Sequence, residues 1–452
     1  MRRLALPLGS LALAAAVFAC EQDSSGDRAP NPTLDGGSPS LDGSTSTFDG
    51  SAPDASTAVT IRIDGRGGPK ANVRVVFHDA DGAVLETKLT GSDGKAASTG
   101  PIPAMASALL ESADGQRHIV TWTGVESGDE LLLRDLDRSA ALGDFQVTLP
   151  GPFDGALGYD LVSGQCATFT SDPNGTVPLY PYCVRGAQAS VLGRAKDGEG
   201  RAIAHSFKKA NAVPSDAGVV DITTGAWAAP TSVTATVTNL PSGTDADVDI
   251  VEIADGQVFS SRGAQIIDNA ANSAVFDTAA GFADALQATT TLGSGGGSAR
   301  LVARRAAPSA AISIDASKAL PSISNGTVAI ASPHRPRFSW TASTEDADGG
   351  VVRTLFEGSG ASHRWSFVVP PGAVTVTAPA MPPEAASFLP TDDETIRAPD
   401  IVFIEAEALS SYAAFRREQG AFVDLTMSIA GFRLPAMPVD GVYRATTWTS
   451  AP

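Results

Sequence analysis

The sequence predicts a mainly β protein made of several antiparallel β-sandwich domains in tandem, with one short helix in the C-terminal region. Three observations predict it. The 452 residues include 45 Gly and 30 Pro, which break the chain into short stretches separated by turns. Many of those stretches alternate apolar and polar residues, as in "VTATVTNL" from Val233 to Leu240. That is the period of a strand with one buried face. Finally, 43% of residues are hydrophobic and 18% charged, enough apolar surface for two to four cores once the N-terminal region is set aside.

The N-terminal region has its own logic. Arg2 and Arg3 precede an apolar run, Leu4 to Phe18, broken by Pro7 and Ser10. The run falls short of the ~20 apolar residues a membrane span needs, so residues 1–19 read as a secretory signal peptide. It closes on Val17-Phe18-Ala19-Cys20, which resembles the bacterial lipobox. The resemblance implies a lipoprotein: Cys20 diacylated through its sulfur, cleavage after Ala19, and a further palmitate-type chain on the new amino terminus. Several acyl chains, at about 0.8 kcal/mol per buried CH2, make such an anchor effectively permanent. Glu21 rather than Asp follows the cysteine, so the resemblance points to the outer membrane of a cell envelope. A plain signal peptide ending in cysteine is the alternative. Residues 20–57 are rich in Asp, Ser, Gly and Pro, with seven acids from Glu21 to Asp54 set against Arg28 alone. This segment buries too little to fold and reads as a disordered acidic tether, spanning roughly 30–35 Å as coil. Its carboxylates read as solvating groups rather than calcium ligands.

From Ala58 the alternation begins. "GPKANVRV" at Gly68–Val75 and "TGSDGKA" at Thr90–Ala96 resemble bacterial Ig-like and carboxypeptidase-regulatory-like (transthyretin-type) modules. The resemblance covers about 35–40 residues. It implies a β-sandwich over residues 58–144 of the kind used as spacer, stalk or sugar- and protein-facing module, and it carries no catalytic position. A disulfide-containing β domain is expected over 145–229 and another β domain over 230–332. "VTATVTNLP" echoes "FQVTLPGP", a weak internal duplication. Residues 333–452 resemble a fibronectin- or Ig-like domain with Trp340 on an early strand. Their helix is expected in "EAEALSSYAAFRREQGAF", where Ala406, Leu409, Tyr412, Ala413 and Phe415 share a stripe and Gly420 suits the end.

With Cys20 assigned to lipid, Cys166 and Cys183 remain. In an oxidising compartment they are expected to pair, closing a loop worth about 3 kcal/mol. A formal charge of −18, from 32 basic and 50 acidic residues, argues against nucleic acid as a partner. The histidines 78, 118, 205, 334 and 363 form no HxH or HExxH spacing, so neither a metal nor another cofactor is expected. "EDADGG" leaves weak calcium-loop candidates, Asp346, Asp348 and Glu357, with Gly350 where a further ligand would sit. Ser362-His363 is no catalytic pair on a strand, because neighbours point to opposite faces. Trp122, Trp227, Trp340, Trp365 and Trp448 fit core positions, one or two being available to stack on glycan. The expected function is binding, adhesion or envelope structure rather than catalysis. The membrane is reached through the lipid, and the partner is an envelope protein or glycan. The alternative is an envelope hydrolase or carbohydrate-active enzyme whose carboxylates come from distant parts of the chain.

Overall fold

The computed structural model describes residues 57–450 apart from 66–67, 113–114, 136–140, 181–182, 185–187, 214–217, 261–264, 294–296, 332–334, 359–361, 392 and 420–436. The signal peptide, Cys20, nearly all of the tether, His334 and Gly420 lie outside the described residues.

The protein is mainly β, and four two-layered units follow one another with a single strand plan. In the first, Thr60–Gly65 runs between Lys95–Ala97, antiparallel, and Glu130–Asp135, parallel. In the second, Gly143–Thr148 sits the same way between Asn174–Leu179 and Val219–Thr223. In the third, Thr231–Thr238 lies between Ser273–Thr278 and Ala311–Asp315. The fourth departs in one place. Arg335–Thr341 pairs with Thr375–Thr377, but its other neighbour is Ser324–Ala331, antiparallel and earlier in the chain. Residues 324–331 therefore belong structurally with the fourth unit. The repetition is one of topology, since the segments share turn spacing and alternation rather than residue identities.

The opposing layer of each unit has four principal strands, and here the units stop being separate. Among the described residues, three of these layers join edge to edge in one thirteen-stranded sheet. The third unit meets the fourth where Ser298–Ala306 pairs antiparallel with Gly441–Thr449. The fourth meets the first where His363–Val369 runs parallel to Arg117–Thr123. Strands at the joint of the fourth and first units are buried on both faces: six of the seven residues of "HRWSFVV" are buried. On one face Phe77, Val120 and Trp122 lie under the small sheet of the first unit, and Val402, Ile404 and Tyr443 continue the same core. On the other face Trp365, Phe367 and Phe403 meet Phe338 and Trp340.

The one α-helix among the described residues is shorter than the sequence predicts, Tyr412–Glu418. Ala406 ends a strand instead, because its N–H is taken by Asp348 Oδ2 at 2.8 Å. Ser411 then starts the helix by accepting from the Ala414 N–H. Seven residues are too few to hold a helix alone, and its side chains supply the rest. Phe415 fills the space above Gly349, Tyr412 donates its hydroxyl to Thr123 O, and Arg416 pairs with Asp129 at 2.7 Å. The helix thus clamps the fourth unit onto the first.

The second unit lies off the long sheet. Leu192 and Val162 on its outer face pack against Ala254, Phe259, Ala279 and Phe282 of the third. Arg194 reaches across to Glu252 at 3.1 Å, both buried. Burial on both sides of Gln188–Lys196 follows from this docking.

A candidate binding cleft between the first and fourth units

Where the first and fourth units diverge beside their shared strands, an open cleft of about 580 Å³ remains. Its first wall is the turn at Asp79–Gly82, one of the two sequences that look like fragments of a calcium loop. Asp79 Oδ1 turns inward instead and accepts the N–H groups of Asp81 and Ala83 at 3.0 and 2.8 Å. Gly82 has φ +79, and a Cβ there would stand 3.1 Å from Pro379 Cα. Its carbonyl accepts the Ala380 N–H, so the turn is seated on the fourth unit. The floor is Met105, Thr123 and Gly124, and the far wall runs through Val369, Pro370, Thr375 and Thr377.

Arg335, half-buried at the start of its strand, lines the same space. Its Nε donates to Ala378 O at 2.6 Å, which fixes the guanidinium plane. His78 lies close enough to sense this charge. Burial above all, with Arg335 adding to it and Asp79 opposing, lowers the His78 pKa to about 4. The ring is therefore neutral at neutral pH and does nothing to cancel or add to Arg335.

The contact that most resembles catalytic machinery lies nearby and is closed. His78 Nε2 is 3.0 Å from Ser107 Oγ, which is 2.9 Å from Thr121 Oγ1, to which Trp365 donates its indole N–H at 3.0 Å. All four side chains are buried. The row crosses three neighbouring strands of the first unit and ends in the fourth, so it ties the joint together from inside.

The other residues that the sequence singles out are dispersed. Cys166 and Cys183 form a disulfide with Cα atoms 5.5 Å apart, and Gln257 of the third unit donates to Cys183 O. Asp346 and Asp348 sit at the start of Gly349–Glu357, and Glu357 at its far end faces Arg397. That strand holds Asp348 and Glu357 about 27–30 Å apart by its rise, so the structure does not bring the three candidates together. Asp348 is pushed up to about 6, chiefly by burial. His363 bridges Glu394 Oε1 and Ser387 O, His118 meets Ser366 Oγ, and His205 packs beside Phe207. Trp122, Trp340, Trp365 and Trp448 are buried, and Trp227 is half-buried on Tyr159 with its N–H given to Gly151 O. Arg335 was missed by sequence reasoning. "RPRF" is an ordinary strand start, and only the pairing of distant units places it in a cleft.

No protein-family model matches the chain, and no curated protein does. Among solved structures it is similar to the Bacillus anthracis TIE protein at 12% identity, covering 53% of this chain and 45% of that one, TM-score 0.16. The chain thus spans just under half the length of that protein. The FN1–FN3 domains of chicken CNTN1 align at 11% identity over 56% of this chain and 85% of that one, TM-score 0.13. Bacteroides ovatus SGBP-B, solved with a mixed-linkage heptasaccharide, aligns at 11% over 75% and 88%, TM-score 0.10. Scores this low carry no argument about function.

Proposed function

We propose that this chain is a lipid-anchored binding protein of the cell envelope, held to the outer membrane through Cys20, whose fused body presents the cleft between its first and fourth units to an envelope protein or glycan. The observation that carries the reading is that cleft. It is open, mixed in polarity, and built at a joint between two units, where binding sites commonly form. Two further features support a non-catalytic role. The Ser107–His78 contact is sealed within the sheet, and Asp81 is the one carboxylate among the described residues that line the cleft, whereas acid–base glycoside hydrolysis uses two facing acids. The disulfide suits an oxidising compartment.

The test is a glycan array and an envelope pull-down with residues 58–450, beside metabolic labelling of the full chain with a fatty-acid analogue. Binding to a defined envelope component, and label lost on Cys20→Ala, are the expected results. A protein that captures nothing and takes up no label sinks the reading.

A further inference from the structure

We infer that the cleft recognises an acidic sugar, a uronic acid, by its carboxylate on Arg335. The inference rests on the cleft being the binding surface. Its first support is charge. The buried arginines Arg194, Arg353 and Arg416 are each matched by a carboxylate, respectively Glu252, Asp400 and Asp129. Arg335 is different: among the described residues its partner is the Ala378 carbonyl, and none of their carboxylates lies within ion-pair distance. A half-buried guanidinium held by its Nε leaves its two terminal nitrogens as a fixed fork, the geometry that takes a carboxylate through two parallel hydrogen bonds.

The second support is hydrogen-bond stoichiometry. Thr123 and Thr375 line the cleft, but their hydroxyl protons are committed to Val368 O and Phe338 O. Their oxygens can still accept, and Asp81 only accepts when ionised. Beyond Arg335 these side chains therefore offer mostly acceptors, with Thr377 the one lining hydroxyl among the described residues whose proton is uncommitted. The matching ligand has one anionic group and several hydroxyl donors. A peptide terminus has the anion but presents several carbonyls, for which Thr377 is the one side-chain hydroxyl able to donate among the described residues. The volume, about 580 Å³, suits a ligand of one or two sugar rings.

The experiment is calorimetric titration of the full chain with galacturonate, glucuronate, galactose and acetyl-dialanine. At least one uronate is expected to bind, with galactose about tenfold or more weaker for want of the carboxylate. Arg335→Gln should lower uronate affinity by about tenfold or more and galactose affinity by much less, with Arg335→Lys retaining part of the uronate affinity through charge without the fork. Unchanged thermal melting marks these variants as folded, and Asp81→Asn, at an exposed position, weakens galactose more than uronate, because it also removes a like charge from beside the uronate carboxylate. Failure of both uronates to bind, or equal binding by folded Arg335→Gln, overturns the inference. Binding of acetyl-dialanine in place of the uronates overturns the sugar assignment. If the array or pull-down still captures another component independently of Arg335, the broader binding role survives this failure; if nothing is captured, both fall.

Discussion

The second and third units are joined face to edge by side chains, whereas the third, fourth and first are joined edge to edge by backbone. The same strand plan is used in both cases. At the fused joints the ladder continues without interruption, six registered pairs between Arg117–Thr123 and His363–Val369 and eight between Ser298–Ala306 and Gly441–Thr449. At the docked joint the contacts are an aromatic cluster, a buried ion pair and a few hydrogen bonds, including Gln257 to Cys183 O. Fusing edges removes the exposed ladders that make isolated sandwiches prone to pair with other chains. Docking by side chains leaves each sheet whole but makes the contact depend on particular charges. The difference teaches that one repeated unit acquires distinct mechanical roles from what its outer layer meets.

The largest effect should come from the fused joint. Trp365 is 1% exposed, stacks on Phe367 with ring centroids 5.7 Å apart, and donates to Thr121 across the boundary. Trp365→Ala should cost about 3–5 kcal/mol by leaving a cavity and taking from the buried Thr121 hydroxyl one of its hydrogen bonds. Chemical denaturation should show the first and fourth units losing stability together. A transition confined to the fourth unit would break the claim that the two share a core.

The docked joint should respond next. Glu252 has its pKa raised by burial, which Arg194 and the Ala279 N–H oppose, so its charge is held at some expense. Glu252→Gln leaves Arg194 buried without its counter-charge and should cost about 3 kcal/mol. Hydrogen exchange should rise over Gly158–Ser163 and Gln188–Lys196 while the long sheet stays protected. Replacing both partners with apolar residues, Arg194→Met with Glu252→Leu, should restore most of the loss. Exchange rising across all four units would show that the docked joint is not an independent contact.

The two joints also differ in how far the sequence announces them. Alternation in "VTATVTNL" and the Gly/Pro punctuation made the sandwiches legible, because each strand there keeps one face on its own core. The joints leave little mark: "RHIVTWT" and "HRWSFVV" mix polar residues among the apolar ones, so their burial does not show as a continuous apolar run. Pairing partners 244 residues apart, as with Trp365 and Thr121, follow from three-dimensional closure and have no local signature. The disulfide was legible from the cysteine count together with the export that the N-terminal residues lead one to expect. Asp346, Asp348 and Glu357 looked like a loop because spacing in sequence equals proximity only in a turn, and a strand separates them. The cleft and Arg335 were illegible for the same reason that the joints were.

The smallest effect sharpens the comparison through pH. Asp348 lies at the start of a central strand of the fused sheet, half-exposed, with burial and the nearby Glu405 pushing its pKa up to about 6 while the Ala406 N–H pulls it down. The native state therefore binds this proton more tightly than the unfolded chain, whose carboxyl titrates near its ordinary value of 3.8. The resulting stability is fully present below about pH 4 and is lost as pH rises through about 6. Asp348→Asn keeps an oxygen to accept from Ala406 and removes the titration. It should raise stability by about 1 kcal/mol at pH 7.5, allowing for solvent screening at a half-exposed site, and by nothing at pH 3.5. Denaturant midpoints of the two proteins across pH 3.5–7.5 measure this. A constant offset at every pH would mean that the asparagine acts through packing, and that the fused sheet carries no titrating group at this end.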